Sequence, residues 1–131
     1  MYKIITGKGG MSLEVAKQQI KEMVMKQCNQ NGWKLQGGAE VRVTRHSDFT
    51  WYEIYQTLVE GNQNLIDYDV IEVTTLCDTL SGVSKKMLDK LEVVCQEGWK
   101  LMGGASVDVE HVAGITIPSY NIYQTVIKER E

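Results

Sequence analysis

The sequence predicts an α+β fold made by duplication: two β-α-β-β units forming one six-stranded, mostly antiparallel sheet with both helices on one face. Three observations predict it. GWKLQGGAEVRV, from Gly32 to Val43, returns as GWKLMGGASVDV, from Gly98 to Val109. YEIYQTLV, from Tyr52, returns as YNIYQTVI, from Tyr120. Ahead of each GW pair, apolar residues recur at helical spacing, and ahead of those stands a β-rich run opened by Tyr2 or Tyr68.

The first run, Tyr2 to Thr6, is short and rich in β-formers. TGKGGMS follows and ends in Ser12, a good N-cap for a helix whose Leu13, Ala16, Ile20, Val24 and Cys28 form one stripe. Gly32 supplies the left-handed position that stops it. The second unit repeats this with Thr79 as cap, a stripe of Leu80, Val83, Met87, Leu91, Val94 and Cys95, and Gly98 as stop. Met23 and Met25, and likewise Leu88 and Val93, widen these stripes beyond what one sheet face covers, which suits helix packing within the chain or between subunits. A partly exposed apolar side is the plainer alternative.

After each helix the chain turns into a strand interrupted by Gly37-Gly38 or Gly103-Gly104, read as a bulge. The loops RHSDFT and EHVAGITIPS then lead to the closing strands, so each unit ends in a hairpin. EGNQNLID connects the copies. One domain over 1–131, with repeats at about 1–60 and 67–131, is expected, because each half alone would bury too little surface.

Hydrophobic residues make up 43% of the chain and charged residues 24%, which together with a single proline argue for a chain folded throughout. A net charge of -3 and a pI near 5.4 argue against capture of a nucleic-acid duplex. MYKIITGKGG lacks an apolar signal core and no run approaches the roughly 20 apolar residues of a membrane span, so no membrane partner and a cytoplasmic location are expected. Cys28, Cys77 and Cys95 lack CxxC spacing and accompany only two histidines, which points to free thiols and no metal.

A hydrolase or transferase needs a nucleophile with its base, two placed carboxylates or a metal cluster, and none is legible. His46 and His111 occupy matching loops without a nucleophile motif. Cys77-Asp78, ahead of the second helix, has no paired base. The expectation is a protein that is not an enzyme and holds no cofactor. TGKGGMS, with Lys8, could present N–H groups and positive charge to a phosphate ahead of a helix, or be a solvated turn. Arg42 and Arg45, with Phe49 and Trp51, combine guanidinium forks with aromatic faces, the chemistry that holds phosphates and stacks on bases. A solvated hairpin tip explains them equally. Asp108 and Glu110 stand near the corresponding places of the second copy, so an anion site would be asymmetric or completed by another subunit. Lys128 and Arg130 are further cationic candidates.

The set Tyr2, Gly32, Trp33, Gly37, Gly38, Tyr55 and Gln56, repeated as Tyr68, Gly98, Trp99, Gly103, Gly104, Tyr123 and Gln124, resembles a small domain of unknown function widespread in bacteria and their phages. In size and architecture the tandem also resembles the phage anti-Thoeris sponge proteins. That resemblance implies a homo-oligomer that sequesters a small nucleotide-derived ligand, a cyclic ADP-ribose-type immune signal, without cleaving it. Arg42 and Arg45 would grip the pyrophosphate, and Phe49 and Trp51 would stack on the base. A structural or protein-interaction module with no small ligand is the other expectation.

Overall fold

A computed structural model describes residues 1–75, 79–111, 114 and 116–130. In the first unit, strand β1 (Tyr2–Gly10) leads to helix α1 (Leu13–Gln30), then β2 (Trp33–Leu35), β3 (Glu40–Arg45) and β4 (Thr50–Glu60). In the second, β5 (Leu65–Thr75) precedes α2 (Leu80–Gln96), β6 (Lys100–Leu101), β7 (Ser106–Glu110) and β8 (Ser119–Glu129). The Cys77-Asp78 pair lies outside the described residues, as do Val112, Ala113 and Ile115 of the second hairpin loop.

Both helices start where their caps predict. The Ser12 hydroxyl accepts from the Val15 N–H at 3.2 Å and the Thr79 hydroxyl from the Gly82 N–H at 3.0 Å. Gly32 and Gly98 follow the helix ends with φ of +74° and +95°, in the left-handed region glycine enters without strain. TGKGG is different from expectation: β1 runs through it to Gly10, so no glycine-rich loop opens a phosphate cradle before α1. Side chains at Gly7 and Gly9 would collide with α1, at Ala16, Ile20 and the Ser12 carbonyl. These glycines let a helix lie against a strand backbone.

The expected single six-stranded sheet is not formed. The chain builds two four-stranded antiparallel sheets, one around β4, which pairs with β1, β2 and β3, and one around β8, which pairs with β5, β6 and β7. The expected GWKL-GG strand is broken in both copies. Gly37, with φ +71°, separates β2 from β3 while β4 runs past both, and Gly103 does the same beside β8. The doubled glutamine of the YQT motif covers this break. Gln56 Nε2 donates to the carbonyls of Gly37 and Thr57 at 3.0 Å, and Gln124 Nε2 does so to those of Gly103 and Thr125.

The two sheets stay separate because β3 does not continue its ladder into the second unit. The Val41 N–H donates to Ser106 Oγ at 3.3 Å instead, and the Ala39 N–H, just ahead of β3, to Thr125 Oγ1 at 2.8 Å. The second unit lies with one sheet face on the helix side of the first. Tyr68, Val70, Tyr123 and Ile127 from that face share a core with Ala16, Ile20 and Val24 of α1 and with Ile54 and Leu58 of β4. Lys21 pairs with Asp67 at 2.8 Å and Lys17 with Asp69 at 3.3 Å along the same boundary. α2 covers the opposite face of the second sheet through Val83, Met87 and Leu91 against Val73, Ile122 and Val126.

The helices therefore do not share a face, and the units are not exchanged by a twofold axis. A twofold would give equivalent residues equal burial, whereas Tyr68 is 0% exposed and its counterpart Tyr2 is 68% exposed. The units are stacked head to tail.

Burial also sets an alkaline limit. Within the main core, burial pushes the Cys28 thiol up from its ordinary 9.0 to about 11, and it pushes the Tyr68 and Tyr123 phenols up as well. The unfolded chain then loses these protons first, so their contribution to stability is complete below pH 9 and is lost as pH rises through the folded values. The urea midpoint should hold steady from pH 7 to 8 and fall from about 9 upward. Cys28→Val should remove part of the fall between 9 and 11. An identical fall in that variant would show that the thiol is not the group responsible.

Candidate functional site

Alternation along β3 decides what its arginines can do, because residues an odd number apart point to opposite sheet faces. Val41 is buried toward the second unit, and Arg45 shares its side of the strand. Arg42 points to the outer face of the first sheet. The two cannot grip one phosphate within one chain.

Arg45 reaches across the junction and forks onto both carboxylate oxygens of Asp108, with Glu110 at 3.6 Å. Hydrogen bonding to Asp108 holds the guanidinium proton still more firmly than usual. Asp108 also accepts from Asn121 Nδ2 at 2.8 Å. Around this knot lies a cleft of about 260 Å³ between the units, lined by Val43, Arg45, Thr50, Tyr52, Glu72, Thr74, Glu110, Asn121 and Tyr123. Counting Asp108, three carboxylates face one arginine there. A phosphate would meet net negative charge and an arginine already engaged.

The outer face has the opposite balance. Register across three strands puts Lys8 opposite Glu53 and Glu53 opposite Arg42, so two cations flank one carboxylate. The Arg42 guanidinium lies 5.2 Å from the Tyr55 ring centre, a cation–π stack, and makes no ion pair with a described residue. Tyr55 donates its hydroxyl to Glu53 at 2.9 Å, and this bond raises the phenol pKa, keeping it protonated. A shallow depression bounded by Ile4, Gly38, Glu40, Arg42, Tyr55 and Thr57 adjoins this row. The sequence offered Lys8 and Arg42 as separate candidates; their strand register sets them on one sheet face, on either side of Glu53.

The remaining sequence candidates do not converge on either place. Phe49 packs edge-on to Trp51 at 5.6 Å and beside His46 at 4.5 Å, a self-contained aromatic cluster at the hairpin tip. Lys128 stacks 5.0 Å from the Trp99 ring at the far end of β8, and the backbone N–H of Arg130 donates to Asn64 near the connector. Glu53, Tyr55 and Asp108 complete the two arrangements and were not among the predicted ligands. The exchange of Arg42 for Asp108 between the copies was visible; that Asp108 meets Arg45 needed the stacking.

Among the described residues no group of three or more histidine, cysteine, aspartate or glutamate side chains is placed to hold a metal. No helix of the described residues is long and apolar enough to cross a membrane. No protein-family model, curated protein or solved structure matches the chain.

Proposed function

We propose that the protein is a non-enzymatic binder that sequesters a small phosphorylated, nucleotide-derived ligand of the cyclic ADP-ribose type, with the Lys8–Arg42–Tyr55 face as its anion platform. The observation that carries this reading is the contrast between the arginines: Arg45 is closed by Asp108 and Glu110, whereas Arg42 stacks on Tyr55, makes no ion pair with a described residue, and shares its sheet face with Lys8 across Glu53. An open guanidinium over an aromatic ring offers charge-assisted hydrogen bonds to a phosphate and a π surface to a base. A protein-interaction module with no small ligand is the second reading, favoured by the exposed apolar Leu80, Leu88, Leu101 and Val107.

Titration calorimetry with cyclic ADP-ribose isomers and cyclic oligonucleotides tests the first reading. Arg42→Ala should weaken binding by about tenfold to a hundredfold, the loss of one or two charge-assisted hydrogen bonds at about 1.5–3 kcal/mol. Arg45→Ala should leave affinity within about threefold, because its charge is already spent on Asp108. Ligand released by heating should be chemically intact. Absence of heat with every nucleotide would leave the interaction module, and recovery of a cleaved ligand would indicate an enzyme.

A further inference from the structure

The junction between the two units is built from two surfaces, and each unit carries both. The helix side of the first unit is used, as is the outer sheet face of the second. The helix side of the second unit and the outer sheet face of the first are left open. We propose that these open surfaces bind each other between two copies of the chain, repeating the internal junction head to tail.

Burial separates equivalent residues according to which surface is used. Leu35 is 5% exposed and its counterpart Leu101 51%; Val41 is 6% exposed and Val107 49%. On the other surface Val70 is 1% exposed and its counterpart Ile4 57%. These are core residues without their cover. A flank of α2 with Leu80, Leu88, Leu101 and Val107 faces solvent as an apolar groove, and the outer sheet presents Tyr2 and Ile4. Patches of this kind mark contact surfaces.

Two hydrogen bonds of the internal junction also have their equivalents waiting, whereas its ion pairs do not. Tyr68 donates its hydroxyl to Gln56 Oε1 at 2.9 Å. Gln124 holds the same pose as Gln56 through both amide donations, yet its Oε1 meets no donor among the described residues, and Tyr2 stands where Tyr68 would. Ala39 N–H has Thr125 Oγ1, and Ala105 would have Thr57 Oγ1. Where the internal junction uses the Lys21–Asp67 ion pair, the open surfaces carry Leu88 and Met1, a matched apolar pair. Both members changed together, which one surface facing water does not require.

Gly104 adds an independent sign. At the internal junction Gly38 lies so close to Met102, Gly103 and Gly104 that neither it nor Gly103 has room for a Cβ. The equivalent contact between copies would bring Gly104 against Gly37. Gly104 has no positive φ and no atom of a described residue within 4 Å of an added Cβ, so nothing among the described residues requires glycine there. A second copy does.

Assembly also changes the charge of the cleft at the junction. Internally, Val43, Arg45 and Tyr52 face Glu72, Asp108 and Asn121. Between copies the same places hold Val109, His111 and Tyr120 facing Thr6, Arg42 and Glu53, with Lys8 replacing Thr74. The acidic cleft becomes a cationic one that has a wall from each copy. This last step rests on the ligand reading above; the assembly itself does not.

Because the surfaces differ, the contact is heterologous, and copies close into a ring or grow as a filament. Light scattering across micromolar concentrations should give masses above the monomer for the wild type. Leu88→Asp spoils the helix side and Ile4→Asp the sheet side, both at exposed positions, and each alone should be monomeric with an unchanged circular dichroism spectrum. Mixed one to one, they should form a dimer and no larger species, because each retains one intact surface. Gly104→Val should also lower the mass without lowering the melting temperature of the Leu88→Asp monomer. Arg42→Ala should assemble normally while losing nucleotide, which separates failure of the ligand reading from failure of this one. A monomeric wild type, or single variants that still assemble, or a mixture that stays monomeric, overturns the head-to-tail contact.

Discussion

Gly9→Ala should destabilise the fold by about 3 kcal/mol or more, the upper range for forcing a methyl into packed space. The new Cβ would overlap the Ser12 carbonyl and lie 2.7 Å from the Ala16 N and 2.8 Å from the Ala16 Cβ. Neither partner can yield cheaply. The Ser12 carbonyl accepts the Ala16 N–H at the first turn of α1, so moving it opens the helix start that the Ser12 side chain caps. Gly7→Ala should act alike, since its Cβ would press on the Ala16 carbonyl and lie 2.9 Å from Ile20, both in the core face of α1. The second unit supplies the control. Val73 and Thr75 occupy these places in β5, and α2 packs on the Val73 side chain. Substituting Thr75→Ala should therefore shift the urea midpoint far less than Gly9→Ala, and equal shifts would refute the close-approach account.

Gln56→Leu should cost about 3 kcal/mol, while Gln124→Leu should cost about 1 kcal/mol, despite their matching motifs. Gln56 is 0% exposed and serves three groups: it donates to the Gly37 and Thr57 carbonyls and accepts from Tyr68. Thr57 keeps the Gln36 N–H when the glutamine is removed. The Gly37 carbonyl and the buried Tyr68 hydroxyl keep no partner among the described residues, and each orphaned polar group costs about 1–3 kcal/mol. At Gln124 only the Gly103 carbonyl is stranded, because no tyrosine hydroxyl reaches its Oε1. Chemical denaturation in the Leu88→Asp background measures both losses without association entering. Losses of equal size would mean that the tyrosine bond contributes nothing.

Elements were legible in the sequence because their signals are local. Ser12 and Thr79 cap, Gly32 and Gly98 stop, and the YQT strands alternate, each within a few residues. β1 was read short because glycine disfavours strands on average, and the approach of α1 that makes Gly7 and Gly9 fit is a tertiary fact. The single sheet failed for a related reason. Duplication announces that two units exist, but a sequence repeats identically whether the copies meet by a twofold axis or by stacking. The mark of stacking was present in substitutions such as Lys21 for Leu88 and Asp67 for Met1, whose meaning depends on knowing that each pair touches. Arg42 and Arg45 were grouped by nearness along the chain, although strand alternation sends them to opposite faces.

The connector between the units, Gly61 to Asn64 between the ends of β4 and β5, is only a few residues of chain. Such a tether holds its two ends at an effective concentration in the millimolar range. The internal junction therefore stays closed at any dilution. The same contact, made between separate chains as proposed above, would have no tether, and its occupancy would follow how much protein the cell contains. If copies assemble head to tail as proposed, one pair of complementary surfaces works in two regimes, as a permanent seam inside each chain and as a dose-dependent joint between chains.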